Sequence, residues 1–200
     1  MTDSTVAHPS HHWHTVKEII AARRSNGNVD PARELPRELV NELLDLAVTA
    51  PNHYRTNPFR FVVLTGAARG RLGGVVADVL SKRPDQKEAN LERQRGQYLR
   101  APTVIAIASA ADEDPVKHFE NKYAVAAAAQ NILIGAAAAG LAAAWRSGPG
   151  MTDPEVSAAV KEALGLAQSD EVIAFMYLGY PTGAPGAKET PRPQVSYLEA

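Results

Sequence analysis

Ala124-Val-Ala-Ala-Ala-Ala-Gln-Asn-Ile-Leu-Ile-Gly-Ala-Ala-Ala-Ala-Gly-Leu-Ala-Ala-Ala-Trp145 is apolar throughout except at Gln130 and Asn131. How this stretch is read decides the class of the protein. A membrane span needs roughly 20 apolar residues, so the length is sufficient. The composition points elsewhere. Alanine is a strong helix former but only weakly hydrophobic, and no basic cluster flanks either end to orient a span. A helix that is apolar all round must be buried, in lipid or in protein. The stretch therefore predicts a helix from Ala124 to Trp145, central in the core or at a subunit interface, with no membrane contact.

Upstream, Asp112-Glu113-Asp114-Pro115 reads as an acidic linker. Pro102–Ser109, with Val104, Ile105 and Ile107, predicts a buried strand. Phe59–Thr65 predicts another buried strand, and Glu171–Tyr180 a third. Trp13–Ser25 carries a helical stripe of Val16, Ile19 and Ile20, stopped by the turn residues Asn26-Gly27-Asn28. Pro36–Ala50 predicts an amphipathic helix with Leu39, Leu43, Leu44, Leu46 and Ala47 on its apolar face. Pro36 suits its first turn, and Pro51 ends it. Ala67–Leu80 and Asp153–Leu164 predict further helices, and Trp145–Met151 a loop. Arg83–Arg100 is so charged that it predicts a solvated helix or a loosely packed lid. Pro181–Ala200 is proline-rich and predicts an extended arm lying on another surface.

Helices interleaved with a few strands, without repeats, predict an α+β fold in which helices wrap a small central sheet. Residues 1–12 are expected to be a flexible tail and 13–200 a single domain that includes the arm 181–200. The tail holds His8, His11 and His12, with His14 just beyond. Nothing nearby would fix these rings as metal ligands, and no metal site is expected.

The chain has 200 residues, a formal net charge of −1 and a pI near 6.6. That balance gives no electrostatic case for nucleic acid. Cysteine is absent, which removes disulfides, thiolate metal sites and a cysteine nucleophile. The polar N-terminus does not read as an export signal, and the cytoplasm is the expected location. No Walker loop and no Gly-x-Gly-x-x-Gly opens a helix after a strand. Ser147-Gly148 lacks the preceding glycine of a nucleophile elbow, and no acid or nucleophile is set around His53. What remains is short polar motifs beside small residues at helix ends. A flavin needs such a set, because the cofactor performs the hydride chemistry and the protein supplies no strong nucleophile.

Four segments resemble the nitroreductase family of flavoproteins, in the family's order and spacing. They are Ile19-Ile20-Ala21-Ala22-Arg23-Arg24-Ser25; Ala47-Val48-Thr49-Ala50-Pro51-Asn52-His53 with Asn57-Pro58-Phe59-Arg60-Phe61-Val62-Val63; Ala128-Ala129-Gln130-Asn131-Ile132-Leu133 through Gly140-Leu141 to Trp145-Arg146-Ser147-Gly148; and Tyr177-Leu178-Gly179-Tyr180-Pro181. The Ala-Pro-Asn-His and Trp-Arg-Ser-Gly elements look most like a compact branch of that family.

The resemblance implies a nitroreductase-like fold, an intertwined homodimer with an extended C-terminal arm, and FMN at the interface. By position it implies that Arg23 and Ser25, with Arg24 beside them, bind the phosphate and ribityl end. Thr49, Pro51, Asn52 and His53 would reach FMN from the partner subunit, and Trp145, Arg146 and Ser147 would line the ring. Arg192 matches a phosphate-binding arginine of some relatives, and Gly135–Gly140 a segment proposed to contact the nicotinamide cofactor. The implied activity moves hydride from NAD(P)H through FMN to a small electron-poor acceptor, a nitroaromatic or a quinone, in ping-pong order. Two alternatives keep the fold: other flavin chemistry (reductive dehalogenation or flavin breakdown), and a non-catalytic flavin-binding dimer.

The chain departs from the family in two places. Many relatives carry a basic residue two or three positions after the motif serine, aimed at the flavin N1/O2 edge. Here those positions are Gly27 and Asn28, so either another cation such as Arg146 stabilises the reduced anionic flavin or the potential differs. The usual Gln-Pro-Trp is Asn57-Pro58-Phe59.

Overall fold

The structure is a computed structural model and describes residues 10–187 and 189–198. Four antiparallel strands form one sheet in the order β1-β2-β4-β3. They are β1 (Phe59–Leu64), β2 (Thr103–Ser109), β3 (Ala142–Arg146) and β4 (Glu171–Gly179). The helices are α1 (His11–Ala22), α2 (Arg37–Ala47), α3 (Ala67–Ser81), α4 (Glu88–Gly96), α5 (Pro115–Ala138), α6 (Pro149–Thr152) and α7 (Pro154–Ala163), and a 3-10 turn at Gln97–Arg100 follows α4.

Every residue of β2 is buried, because helices cover both faces of the sheet. Side chains alternate between the faces with period two. Ile105, Ile107, Met176 and Leu178 pack with Leu43 of α2 and Val125 and Ile132 of α5. Val104, Ala106, Phe175 and Tyr177 pack with Val76 of α3 and Val156 and Val160 of α7. A strand covered on both faces reads as a continuous apolar run, which is why Pro102–Ser109 and Glu171–Tyr180 were legible as strands.

The alanine-rich stretch does not form one helix to Trp145. Helix α5 begins earlier, at Pro115, where the Asp114 carboxylate caps it by accepting from the Val116 and Lys117 N–H groups. The acidic linker is thus the start of the helix. The helix stops at Ala138, and Gly140 takes φ +70°. Its N–H bonds to Ala137 O at 3.1 Å, and that of Leu141 to Ala136 O at 2.8 Å, the Schellman closure that glycine permits. Ala142, Ala143 and Ala144 then pair with Gly179, Leu178 and Tyr177 as β3. Alanine carries little signal to separate helix from strand once glycine has turned the chain.

Other expectations shift. The predicted buried strand Phe59–Thr65 is an edge strand in which only Leu64 is buried. Trp145 and Arg146 lie in β3 rather than in a loop, and α6 forms within the loop that follows. His11 and His12 belong to α1, not to a tail; the rest of the expected tail through Pro9 lies outside the described residues. The charged segment is no loose lid: Leu91, Gln94 and Tyr98 are buried, and a Cβ on Gly73 of α3 would overlap the Arg95 carbonyl of α4. Among the described residues no helix is long and apolar enough to cross a membrane.

Candidate functional site

Three concavities hold the polar motifs. The largest, about 700 Å³, lies between the end of α1, the end of α5, β3 and the chain after β4. Arg23, Arg24 and Asn26 line it, with Leu133, Ala137 and Gly140 opposite. Arg23 is the residue at which α1 ends, where a cation complements the helix dipole. Arg24 donates from Nη1 to the carbonyls of Ala21 (2.5 Å) and Arg23 (2.9 Å). Arg23 differs: its Nη1 is buried and has no hydrogen-bond partner. A buried donor left unpaired costs free energy, so an anionic acceptor in this cleft would relieve it.

Asn26 fixes the far wall. It is 7% exposed. Its backbone N–H reaches Ala143 O at 3.0 Å, and its amide donates to Gly183 O at 3.1 Å. Thr182 N–H to Asn28 O (3.0 Å) and Asp30 N–H to Tyr180 O (3.0 Å) continue the seam. Asn26-Gly27-Asn28, legible only as a turn, thus ties the start of the arm to β3. Of Gly135–Gly140, Ala137 and Gly140 line the cleft, whereas Gly135 lets Leu43 and Leu46 of α2 approach α5.

The second pocket is about 210 Å³ and is lined by Gly27, Arg93, Gln97, Arg100, Arg146 and Ser147. Tyr98, Phe175 and Tyr177 close it; the Tyr98 ring meets Phe175 edge-on at 5.1 Å and stacks on Tyr177 at 6.3 Å. A Cβ on Gly27 would lie 2.9 Å from Nη2 of Arg146, so the guanidinium fills the space a side chain at 27 would need. Burial pushes the Tyr177 hydroxyl up to about 12, against the pull of Arg146 and Arg100. No carboxylate lines this pocket.

The third, about 260 Å³, sets Pro51, Asn52 and His53 against Glu120 and Tyr123 of α5. His53 Nδ1 lies 2.8 Å from Glu120 Oε2, so the histidine has an acid beside it that sequence reasoning did not place. Asn52 turns inward: its amide nitrogen donates to the Thr56 hydroxyl, and its oxygen accepts from Asn57 N–H at 2.8 Å. Thr49 stands apart, donating to Leu46 O at 2.7 Å and accepting from Asn131 at 3.3 Å.

One chain therefore unites Arg23 with Arg24, and Arg146 with Ser147 beside Gly27. Ser25 is exposed on the link between these two sites. Pro51, Asn52 and His53 line a cleft that shares no residue with either. Trp145 packs into the core on the α2–α5 side, and Arg192 is exposed on the arm. Sequence reasoning missed Asn26, Gln97 and Arg100; the only signal for the last two was the charge of their segment.

The profile of the nitroreductase family matches residues 20–180. The chain belongs to the nitroreductase family. YdjA of Escherichia coli K12 is 28% identical over 166 residues, covering 82% of this chain and 87% of its own. YfhC of Bacillus subtilis is 28% identical over 181 residues, covering 89% and 91%. Both are named as candidate NAD(P)H nitroreductases, and the first bears out the likeness to a compact branch of the nitroreductases. An FMN-bound nitroreductase from Bacteroides fragilis superposes with a TM-score of 0.73 at 23% identity, covering 92% of this chain and 98% of that one. The FMN-dependent nitroreductase NfnB of Mycobacterium smegmatis, in complex with NADPH, gives 0.66 at 18% identity, covering 92% and 100%. These establish the nitroreductase fold, small antiparallel sheet and surrounding helices alike.

Proposed function

We propose that this protein is a cytoplasmic, FMN-dependent NAD(P)H oxidoreductase that works as a homodimer. The observation that carries the reading is Arg23: a buried guanidinium nitrogen without a partner, beside Arg24, in a cleft of about 700 Å³. Clefts of that size suit cofactors, and the flavin phosphate is the kind of anion the orphaned donor requires. The names of the relatives, and the FMN and NADPH in the superposed structures, point the same way.

When bound, FMN supplies the redox chemistry, passing hydride from NAD(P)H to a nitroaromatic or quinone in ping-pong order. The chain supplies position and charge. Arg23 and Arg24 hold the phosphate, with Ser25 at the ribityl chain and Arg192 as a further cation from the arm. Trp145, Arg146 and Ser147 line the ring. Thr49, Pro51, Asn52 and His53 serve the flavin of the other protomer, which for the last three accords with their separate cleft.

Dimerisation is supported by large apolar side chains left exposed among the described residues. Trp13 and Val16 of α1, Phe119 and Tyr123 of α5, and Tyr197 and Leu198 of the arm are 47% to 99% exposed. Monomeric proteins rarely leave such surface in contact with water.

Titration of flavin-free protein with FMN tests the site. Arg23→Ala is expected to weaken binding about tenfold or more, since a charge-assisted hydrogen bond contributes roughly 1.5–3 kcal/mol; unchanged affinity would remove Arg23 from the site. Parallel steady-state lines are expected for the ping-pong order, and intersecting lines would contradict it.

A further inference from the structure

Arg93, Arg100 and Arg146 converge on the second pocket with no carboxylate to neutralise them. Arg93 donates to the Asn90 side-chain oxygen at 2.8 Å. The Arg100 and Arg146 guanidinium groups make no hydrogen bond or ion pair among the described residues. Gln97, between them, holds a buried Nε2 that also lacks an acceptor. Like charges gathered without a counterion repel one another, and an unpaired buried donor adds to the cost. The pocket is therefore built for something that brings negative charge and hydrogen-bond acceptors.

The shape narrows the choice. One wall is aromatic, made by Tyr98 and Tyr177 with near-parallel rings and Phe175 edge-on to Tyr98. A tetrahedral oxyanion gains little from such a wall, whereas the rim of a planar heteroaromatic ring gains contact along it. About 210 Å³ admits one edge of a ring system and not a whole cofactor. Two members, Arg146 and Ser147, are residues that the FMN reading sets against the flavin ring.

We propose that Arg93, Gln97 and Arg100, carried by α4 and the turn after it, join Arg146 in holding the N1–C2 carbonyl edge of the flavin and so set its reduction potential. The inference rests on the FMN reading. Oxidised flavin accepts a hydride, two electrons and one proton, at N5; NAD(P)H leaves as NAD(P)+. The ring gains one negative charge, which spreads over N1 and the C2 carbonyl oxygen. Preorganised cations at that edge stabilise the reduced form more than the oxidised form. The pocket thus explains how the chain dispenses with a basic side chain at position 27. Gly27 leaves room for the Arg146 guanidinium, and the charge comes from Arg146, Arg93 and Arg100 instead.

The test is the midpoint potential of FMN-loaded protein, measured by dye equilibration for the wild type, Arg100→Gln, Arg93→Gln and Arg100→Lys. Arg60→Gln, on the edge strand outside all three sites, controls for net charge. Arg93 and Arg100 are exposed at the pocket rim, so their substitution leaves the core intact. Arg100→Gln is expected to lower the preference for reduced over oxidised flavin about tenfold, a shift of roughly 30 mV to more negative potential. Arg93→Gln should shift it in the same direction, and Arg100→Lys should recover most of the loss. Potentials of Arg100→Gln and Arg93→Gln equal to that of the wild type, with FMN still bound, would overturn this proposal alone. A wild-type protein that takes up no FMN would overturn it together with the flavin reading.

Discussion

Two sets of arginines arise within a few turns of the chain and are held differently. Arg83 and Arg95 are neutralised by carboxylates of their own chain. Arg83 grips Asp153 through two bonds of 2.6 and 2.8 Å and reaches Glu155 at 3.1 Å, and Arg95 pairs with Glu88 and Glu92. Arg93 and Arg100, from the same segment, have no carboxylate, and neither does Arg146 opposite them. In the first set Arg83 ties the end of α3 to the start of α7 and Arg95 braces α4 within itself; the second leaves its charge available to a ligand. Charge content alone does not distinguish them; partners do.

The comparison is broken most forcefully by moving α4, which carries Arg95 of the first set and Arg93 of the second. Gly73→Ala would thrust a methyl into the Arg95 carbonyl, costing about 1–3 kcal/mol as overpacking does. Gly74, one residue on, has nothing within 4 Å of its would-be Cβ. Gly74→Ala should instead stabilise by about 0.5–1 kcal/mol through helix propensity. Opposite signs in thermal melts check the pair, and equal effects would mean that α4 does not rest on Gly73.

Arg83→Gln sharpens the contrast with a smaller loss. The Arg83 guanidinium and the Val156 N–H depress the Asp153 carboxyl from 3.8 to about 2. A depressed carboxylate stabilises the fold above its unfolded value and loses that contribution as pH falls through the folded one. The melting temperature of Arg83→Gln should therefore lie below that of the wild type at pH 6, with the gap closing between pH 3.8 and 2. Its flavin affinity should be unchanged. A gap independent of pH would deny the pairing its role.

Gly27→Ala should have the smallest effect on stability, because the methyl meets only the movable tip of Arg146. It should nonetheless weaken FMN binding severalfold by displacing that cation. A titration indistinguishable from wild type would mean that Arg146 does not act through this position.

Much of the fold was legible, and the exceptions have physical causes. Strands buried on both faces announce themselves as apolar runs, so β2 and β4 were found. Strand β3 hid in alanine, whose state was decided by Gly140 and by pairing to β4. Of the candidate site, Arg23, Arg24, Arg146 and Ser147 could be named because they sit in short motifs. Asn26 was read as turn material since its work, a bond to Gly183, spans 157 residues. Gln97 and Arg100 belong to a segment whose charge looked like a solvated face, and only the packing of Leu91, Gln94 and Tyr98 sets them at the rim of a pocket.

The central claim is that this member of the nitroreductase family carries a flavin reduced by nicotinamide. An anaerobic visible spectrum of the purified protein, taken after FMN loading and again after NADPH or NADH is added, tests it most directly. Flavin bands that bleach with one of the two donors are the expected result. A protein that stays colourless after incubation with FMN, or a bound flavin that neither donor bleaches, would contradict the account.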